Sequence, residues 1–193
     1  MRRWLPLLLL APALLLCSAR SRAAALRTAR AALAHVARRV PLPGASTADR
    51  AALHPSFAAR VARVEARLAA EGHPATPASV WRSPRRQATI YALSDAAEAL
   101  GLPRWTQARG GQSCHNQVAG EAPASAAIDL VPRSVADRVE AVAFYRALGR
   151  AAHAEGLRWG GDWSRRNPTW AAYDLGWDPG HIEDRALCRA LRR

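Results

Sequence analysis

Two short segments of this chain alternate apolar and chemically active residues with a period of two. If each is extended, Ala127-Ile128-Asp129-Leu130 sends Ile128 and Leu130 to one face and Asp129 to the other. His181-Ile182-Glu183 sends Ile182 inward and both His181 and Glu183 outward. Such segments need a sheet with one face in a core and the other free for chemistry, which argues against an all-helical fold. The segments between them change period. Phe57, Val61, Val64 and Leu68 form one apolar helical stripe, with Ser56 as cap and Gly72 as stop. Ser83-Pro84 opens a second helix toward Leu100, stopped by Gly101 and Pro103. Ser134 opens a third, with Val135, Val139, Val142, Phe144 or Tyr145, and Leu148 recurring until Gly156. Residues 79–82, 126–131, 157–159 and 181–183 read as strands. The expected architecture is an α+β domain over residues 51–193.

The first 25 residues follow a secretory pattern, with Arg2 and Arg3, an apolar run from Leu5 to Leu16, then Ala19 and Ala23 to Ala25. The run falls short of the about 20 apolar residues a membrane span needs, so a cleavable signal is expected, with an uncleaved anchor as the alternative. Cys17, after Leu14-Leu15-Leu16, stands where a lipoprotein would carry its lipid, although Leu16 is bulky for that role. The expected location is therefore exported, periplasmic or extracellular, with membrane attachment only if the signal is retained or Cys17 is lipidated. Residues 26–50 form an Ala- and Arg-rich spacer, broken by Pro41-Leu42-Pro43-Gly44.

All 28 basic residues are arginine, against 15 acids, for a net charge of +13. Loss of the signal removes four arginines and no acid and leaves a basic product, attracted to anionic polymers. The arginines are scattered and accompany no nucleic-acid-binding motif, so no nucleic-acid partner is expected. Without Cys17, Cys114 and Cys188 remain, either as one disulfide or as two buried thiols.

By type alone, His115, Asp129 and His181 suffice as zinc ligands, because a catalytic zinc takes three protein ligands and keeps one position for water. Asp178 is left over as a base. His35, His54, His73 and His153 lie in helical or turn contexts without an acidic partner pattern and are set aside.

Five fragments occur in the order Trp81-Arg82-Ser83-Pro84-Arg85-Arg86-Gln87, Ser113-Cys114-His115-Asn116, Ala127-Ile128-Asp129-Leu130, Trp159-Gly160-Gly161-Asp162-Trp163 and Asp178-Pro179-Gly180-His181-Ile182-Glu183. In this order they resemble the zinc D,D- and L,D-peptidases of bacterial cell walls, including phage endolysins that cut between L-alanine and D-glutamate. The resemblance implies a Hedgehog/DD-peptidase-like fold, a small antiparallel sheet flanked by helices. It implies Zn2+ held by His115, Asp129 and His181, Asp178 as general base, and Arg82 on the substrate carbonyl or carboxylate. Ser113, Asp162 and Glu183 would support the ligands from behind, the alternative for the two acids being ordinary turn and strand residues. Arg85 and Arg86 would lie on the surface, and one or two of Trp159, Trp163, Trp170 and Trp177 would wall a peptide groove. Cys114, beside His115, is better placed to bridge Cys188 than to bind the same ion. The implied activity is hydrolysis of a peptidoglycan stem amide by a monomer, L-alanyl-D-glutamate endopeptidase ahead of D-alanyl-D-alanine carboxypeptidase. The rival is a catalytically degenerate wall-binding module. Two departures stand out. His115 and Asp129 lie farther apart than in the family, which requires a looped insertion at 118–124. Gly180 shifts the proline register without changing the step from Asp178 to His181.

Overall fold

The computed structural model describes residues 25–29, 42–164 and 168–193. The described residues divide into two compact units, residues 25–29 with 93–104, and residues 42–92 with 105–164 and 168–193. The second unit holds all the candidate site residues. The expected signal up to residue 24, Cys17 and most of the spacer lie outside the described residues, while residues 25–29 are helical. Among the described residues no helix is long and apolar enough to cross a membrane.

The fold is α+β. Its central sheet has four antiparallel strands: β2 (Ala75–Ser79), β6 (Ala127–Pro132), β8 (His181–Glu183) and β7 (Arg158–Trp159), in that spatial order. Two ribbons flank it, β1 (Ser46–Thr47) with β3 (Trp81–Arg82), and β4 (Val118–Ala119) with β5 (Ala122–Pro123). The helices are α1 (Pro55–Ala70), α2 (Pro84–Ala99), α3 (Arg138–Ala154) and α4 (Arg185–Ala190). In the β6–β8 register Ile128 faces Ile182 and Asp129 faces His181. Ile128, Leu130 and Ile182 are fully buried in one core with Phe57, Val61, Val64 and Leu68 of α1 and with Phe144 and Leu148 of α3. Each such side chain contributes about 1.5–3 kcal/mol by leaving water. The period-two alternation therefore does what it requires: the apolar face seals the core and the other face carries the acids and histidines.

Three element boundaries differ from expectation. The helix α3 starts at Arg138, because the Asp137 carboxylate accepts from the backbone N–H groups of Val139 and Glu140 and so caps it. Val135 and Val139, counted into the apolar stripe, are exposed at 44 % and 70 %. The helix α1 starts at Pro55 after His54, with no side-chain cap, rather than behind Ser56. The 79–82 strand is broken at Val80, which separates β2 from β3 and turns its carbonyl toward His115.

Residues 118–124, expected to loop out, form a hairpin. The strands β4 and β5 pair across Gly120 and Glu121, with Gly120 at φ 62°, and the Ala124 N–H returns to the Gln117 carbonyl at 2.9 Å. The segment thus leaves and re-enters the fold at nearly one point, consistent with the small dependence of closure cost on loop length.

Truncating the fully buried Leu148 to Ala should cost about 2–5 kcal/mol in denaturant unfolding. The same change at exposed Val139 should stay within about 0.5 kcal/mol. Equal costs at the two positions would contradict a helix α3 that begins at Arg138 with Val139 facing solvent.

Candidate metal centre

His115 sits on a short 3-10 turn, Cys114–Asn116, whose geometry is set by its own neighbours. The Ser113 hydroxyl accepts from the His115 N–H at 3.2 Å, and the Asn116 side-chain oxygen accepts from the Ser113 N–H at 3.2 Å, a reciprocal capping box. Cys114 is joined to Cys188 of α4 by a disulfide, which ties this turn to the C-terminal helix. Ser113 thus supports His115 through its backbone, not through its ring.

His181 is the first residue of β8, and the Trp159-Gly160-Gly161 segment holds the loop that leads into it. Trp159 Nε1 donates to the Pro179 carbonyl at 2.7 Å, and the Gly176 N–H donates to the Gly161 carbonyl at 2.7 Å. A Cβ on Gly160 would collide with the Asp178 carbonyl, and one on Gly161 with the Trp159 ring. Glycine is required at both positions because backbone and indole approach that closely. The register then places His181 opposite Asp129.

The three candidate ligand atoms converge. His181 Nδ1 lies 2.8 Å from Asp129 Oδ1, and His115 Nε2 lies 3.2 Å from that oxygen and 3.3 Å from His181 Nδ1. An ion with tetrahedral bonds of about 2.0–2.2 Å keeps its ligand atoms about 3.3–3.6 Å apart, so the two separations from His115 are close to coordination spacing and the His181–Asp129 one is about half an ångström shorter. The far nitrogens are already engaged. His115 Nδ1 donates to the Val80 carbonyl at 2.7 Å, and His181 Nε2 faces Glu183 Oε2 at 3.4 Å. A carbonyl or carboxylate behind each imidazole puts the ring proton there and leaves a bare nitrogen pointing at the shared centre. Three lone pairs then meet in a pocket where His115 and His181 are 1 % and 7 % exposed. They need a cation or a proton between them.

The electrostatics agree. Burial alone would raise the Asp129 carboxyl, but the charges and hydrogen bonds of His115 and His181 outweigh it and hold it well below the usual carboxylate range. Burial lowers His115. Burial would lower His181 as well, yet its bonds to Asp129 and Glu183 push it up to about 10. Glu183 resists burial through its bond to His181 and through that residue's charge, and lies at about 2. Without an ion, then, His181 carries a proton on the nitrogen facing Asp129, the side on which a divalent cation would sit. Two imidazoles and one carboxylate are a donor set suited to zinc.

A cavity of about 550 Å³ opens over this cluster and includes Arg82, Asp178, Trp163 and Trp177 in its lining. Arg82 Nη2 lies 3.6 Å from Asp129 Oδ2, and its Nε is buried without a partner. Burial first, and the Asp129 charge second, raise the Asp178 carboxyl to about 6. Trp163 and Trp177 wall the cavity, as does Trp105, which no sequence motif singles out; Trp159 belongs to the core and Trp170, partly buried, packs against it.

Asp162 stands apart. It is exposed and binds His153 Nε2 at 2.7 Å, not a ligand imidazole, because the 3-10 turn Gly160–Asp162 directs it outward. It fixes that turn to α3, and His153, read as lacking an acidic partner, has one. Arg86 is half-buried and donates to the Leu42 carbonyl at 2.8 Å, while Arg85 is exposed. Asn116, not singled out from sequence, donates to the Arg82 carbonyl at 2.7 Å and so joins the His115 turn to the strand bearing Arg82. Its place beside His115 was the one available signal.

Isothermal titration should show one zinc per chain, with loss of binding in Asp129→Ala and His181→Ala. Glu183→Gln should weaken affinity about 10–100-fold, and Asp162→Asn by less than about twofold. Because the ion displaces the His181 proton, apparent affinity should rise about tenfold per pH unit below the displaced group's value, with proton uptake by the buffer. Affinity independent of pH between 6 and 8 would contradict this assignment.

No protein-family model matches the chain, and no curated protein matches it. Among solved structures, one similar chain is a crystallised mutant of the vancomycin resistance D,D-pentapeptidase VanY from a VanB-type resistance cassette, in complex with Zn(II). It is 15 % identical, over 72 % of this chain and 78 % of that one, with a TM-score of 0.47. That Zn(II) belongs to that protein; in this chain the case for a metal stands on His115, Asp129 and His181.

Proposed function

We propose that this protein is an exported zinc peptidase that hydrolyses an amide bond of peptidoglycan stem peptides, the L-alanyl-D-glutamate bond ahead of the terminal D-alanyl-D-alanine bond. The observation that carries the hydrolase reading is the convergence of His115 Nε2, His181 Nδ1 and Asp129 Oδ1 at the floor of an open cavity, each imidazole held from behind by its own acceptor. The wall-peptide substrate is supported by the ordered resemblance of five fragments, and the preference for the first bond by Asp178 as base together with the Trp159 to Trp163 fragment.

His115, Asp129 and His181 would hold the ion. Bound zinc supplies Lewis-acid polarisation of the scissile carbonyl and brings the pKa of a water toward about 7. The chain's own groups do the rest. The Asp178 carboxylate takes a proton from the attacking water as its oxygen bonds to the carbonyl carbon, and returns that proton to the leaving nitrogen as the C–N bond breaks. A carboxyl near pH 6 suits both transfers at neutral pH. Arg82, whose backbone carbonyl is tied to Asn116 and whose Nε has no protein acceptor, directs a guanidinium at the carbonyl oxygen as charge develops there. Trp163 and Trp177 exclude water from the sides.

Mass spectrometry of purified peptidoglycan treated with zinc-loaded protein should show new L-alanine or D-alanine ends, lost with chelator. Asp178→Asn should lower hydrolysis at least about 100-fold while keeping its zinc. Since Asp178 must be ionised, kcat/KM should fall about tenfold per pH unit below an acid limb at or under pH 6, its value without the cation. Zinc-loaded protein that binds wall but releases nothing would favour a degenerate binding module and sink this mechanism.

A further inference from the structure

The cavity over the His–Asp cluster does not end at Glu183. A second hollow of about 700 Å³ lies beside it, and Arg158 and Arg185 line both. Across the two hollows six arginines, Arg60, Arg82, Arg158, Arg185, Arg189 and Arg192, face four acids, Asp129, Asp178, Glu183 and Asp184. Arg60 is engaged by Asp184 and by the Glu155 carbonyl. Arg158 and Arg185 share one carboxylate: Glu183 Oε1 lies 3.1 Å from the first and 3.5 Å from the second, while Oε2 is turned to His181. Each guanidinium carries five donors, so one shared oxygen leaves most of them unused. The two side chains are 48 % and 47 % exposed. Arg192 is held below the usual guanidinium range by burial first and by the charge of Arg185 second, which marks a local excess of cations.

A second observation points the same way. The Trp163 indole lies under Arg158, with the guanidinium carbon 5.4 Å from its ring centre, and 5.3 Å from the His181 ring. Its Nε1 is buried without an acceptor, at a wall of the same cavity. An orphaned buried donor costs stability unless a ligand satisfies it. A fork of guanidiniums next to an orphaned indole N–H, beside a candidate hydrolytic centre, matches a peptide that carries an acidic group close to the bond being cut.

We propose that Arg158 and Arg185, oriented by Glu183, form a carboxylate subsite that takes a free carboxylate on the substrate residue adjoining the scissile amide, with Trp163 Nε1 donating to the peptide backbone. This rests on the peptidase reading and deepens it: the subsite selects an acidic stem peptide over its amidated form. The same forks would accept a phosphate, but Arg158 and Arg185 line the cavity over the His–Asp cluster together with the orphaned indole donor, which favours an anion carried on the peptide itself.

The test uses the zinc-loaded full chain and two stem peptides that differ only in the glutamyl α-carboxylate, free in one and a carboxamide in the other. The native protein should prefer the free acid at least about tenfold in kcat/KM, mainly through KM. In the double variant Arg158→Gln with Arg185→Gln the ratio should fall to near one, with zinc content verified to be native; Lys at both positions should restore part of it. A native ratio near one, or a ratio unchanged in the variant, overturns the subsite while leaving the peptidase reading intact. If neither peptide is cut, fluorescence anisotropy of labelled peptides decides. A preference for the acid that the double variant loses upholds the subsite and counts against the peptidase reading, whereas no preference overturns the subsite. Binding of polyglycerol phosphate that depends on these arginines, without acid-over-amide discrimination, would assign them to a phosphate polymer and overturn the proposal.

Discussion

The structure turns on one unfavourable meeting: three lone pairs, from His115, His181 and Asp129, brought within 2.8–3.3 Å of one another in a nearly dry floor. Nothing in the packing of the core requires this. It is imposed by the acceptors behind the rings, Val80 and Glu183, which hold both imidazoles with their bare nitrogens inward. A buried carboxylate beside two such nitrogens needs a positive charge to be stable. A proton on His181 meets that need in the absence of metal, and a divalent cation meets it better because it can be shared by all three.

The rest of the second unit serves that convergence. The strands β6 and β8 fix Asp129 opposite His181 while Ile128, Leu130 and Ile182 anchor the same strands in the core, so a register slip would bury the acids and expose the apolar set. The paired glycines allow Trp159 to clamp the loop bearing Asp178 and Pro179. The disulfide to Cys188 and the capping box around Ser113 fix the third ligand turn.

Much of this was legible in the sequence for a physical reason: period-two and helical stripes report which face is buried, and burial is what shapes these elements. The ligand trio was legible by type and order. What remained hidden depended on contacts distant in sequence. The Val80 carbonyl behind His115 is a backbone group with no sequence signature. The turn of Asp162 toward His153 follows from the local 3-10 geometry, which residue identity does not encode. The early start assigned to α3 failed because Val135 and Val139 continue the stripe in sequence, while the Asp137 cap starts the helix after Val135 and leaves Val139, in its first turn, facing solvent. Cys114 and Cys188 were open between bridge and free thiols until the return of α4 beside the His115 turn brought them together.

The central claim is that one zinc ion is held by two imidazoles and a carboxylate from these three residues. X-ray absorption at the zinc edge of the metal-loaded protein tests it directly. Coordination by His115, Asp129 and His181 predicts a nitrogen and oxygen shell at about 2.0–2.2 Å with imidazole multiple scattering from two rings and no sulfur. A sulfur contribution near about 2.3 Å, or a shell of oxygen alone, would contradict it.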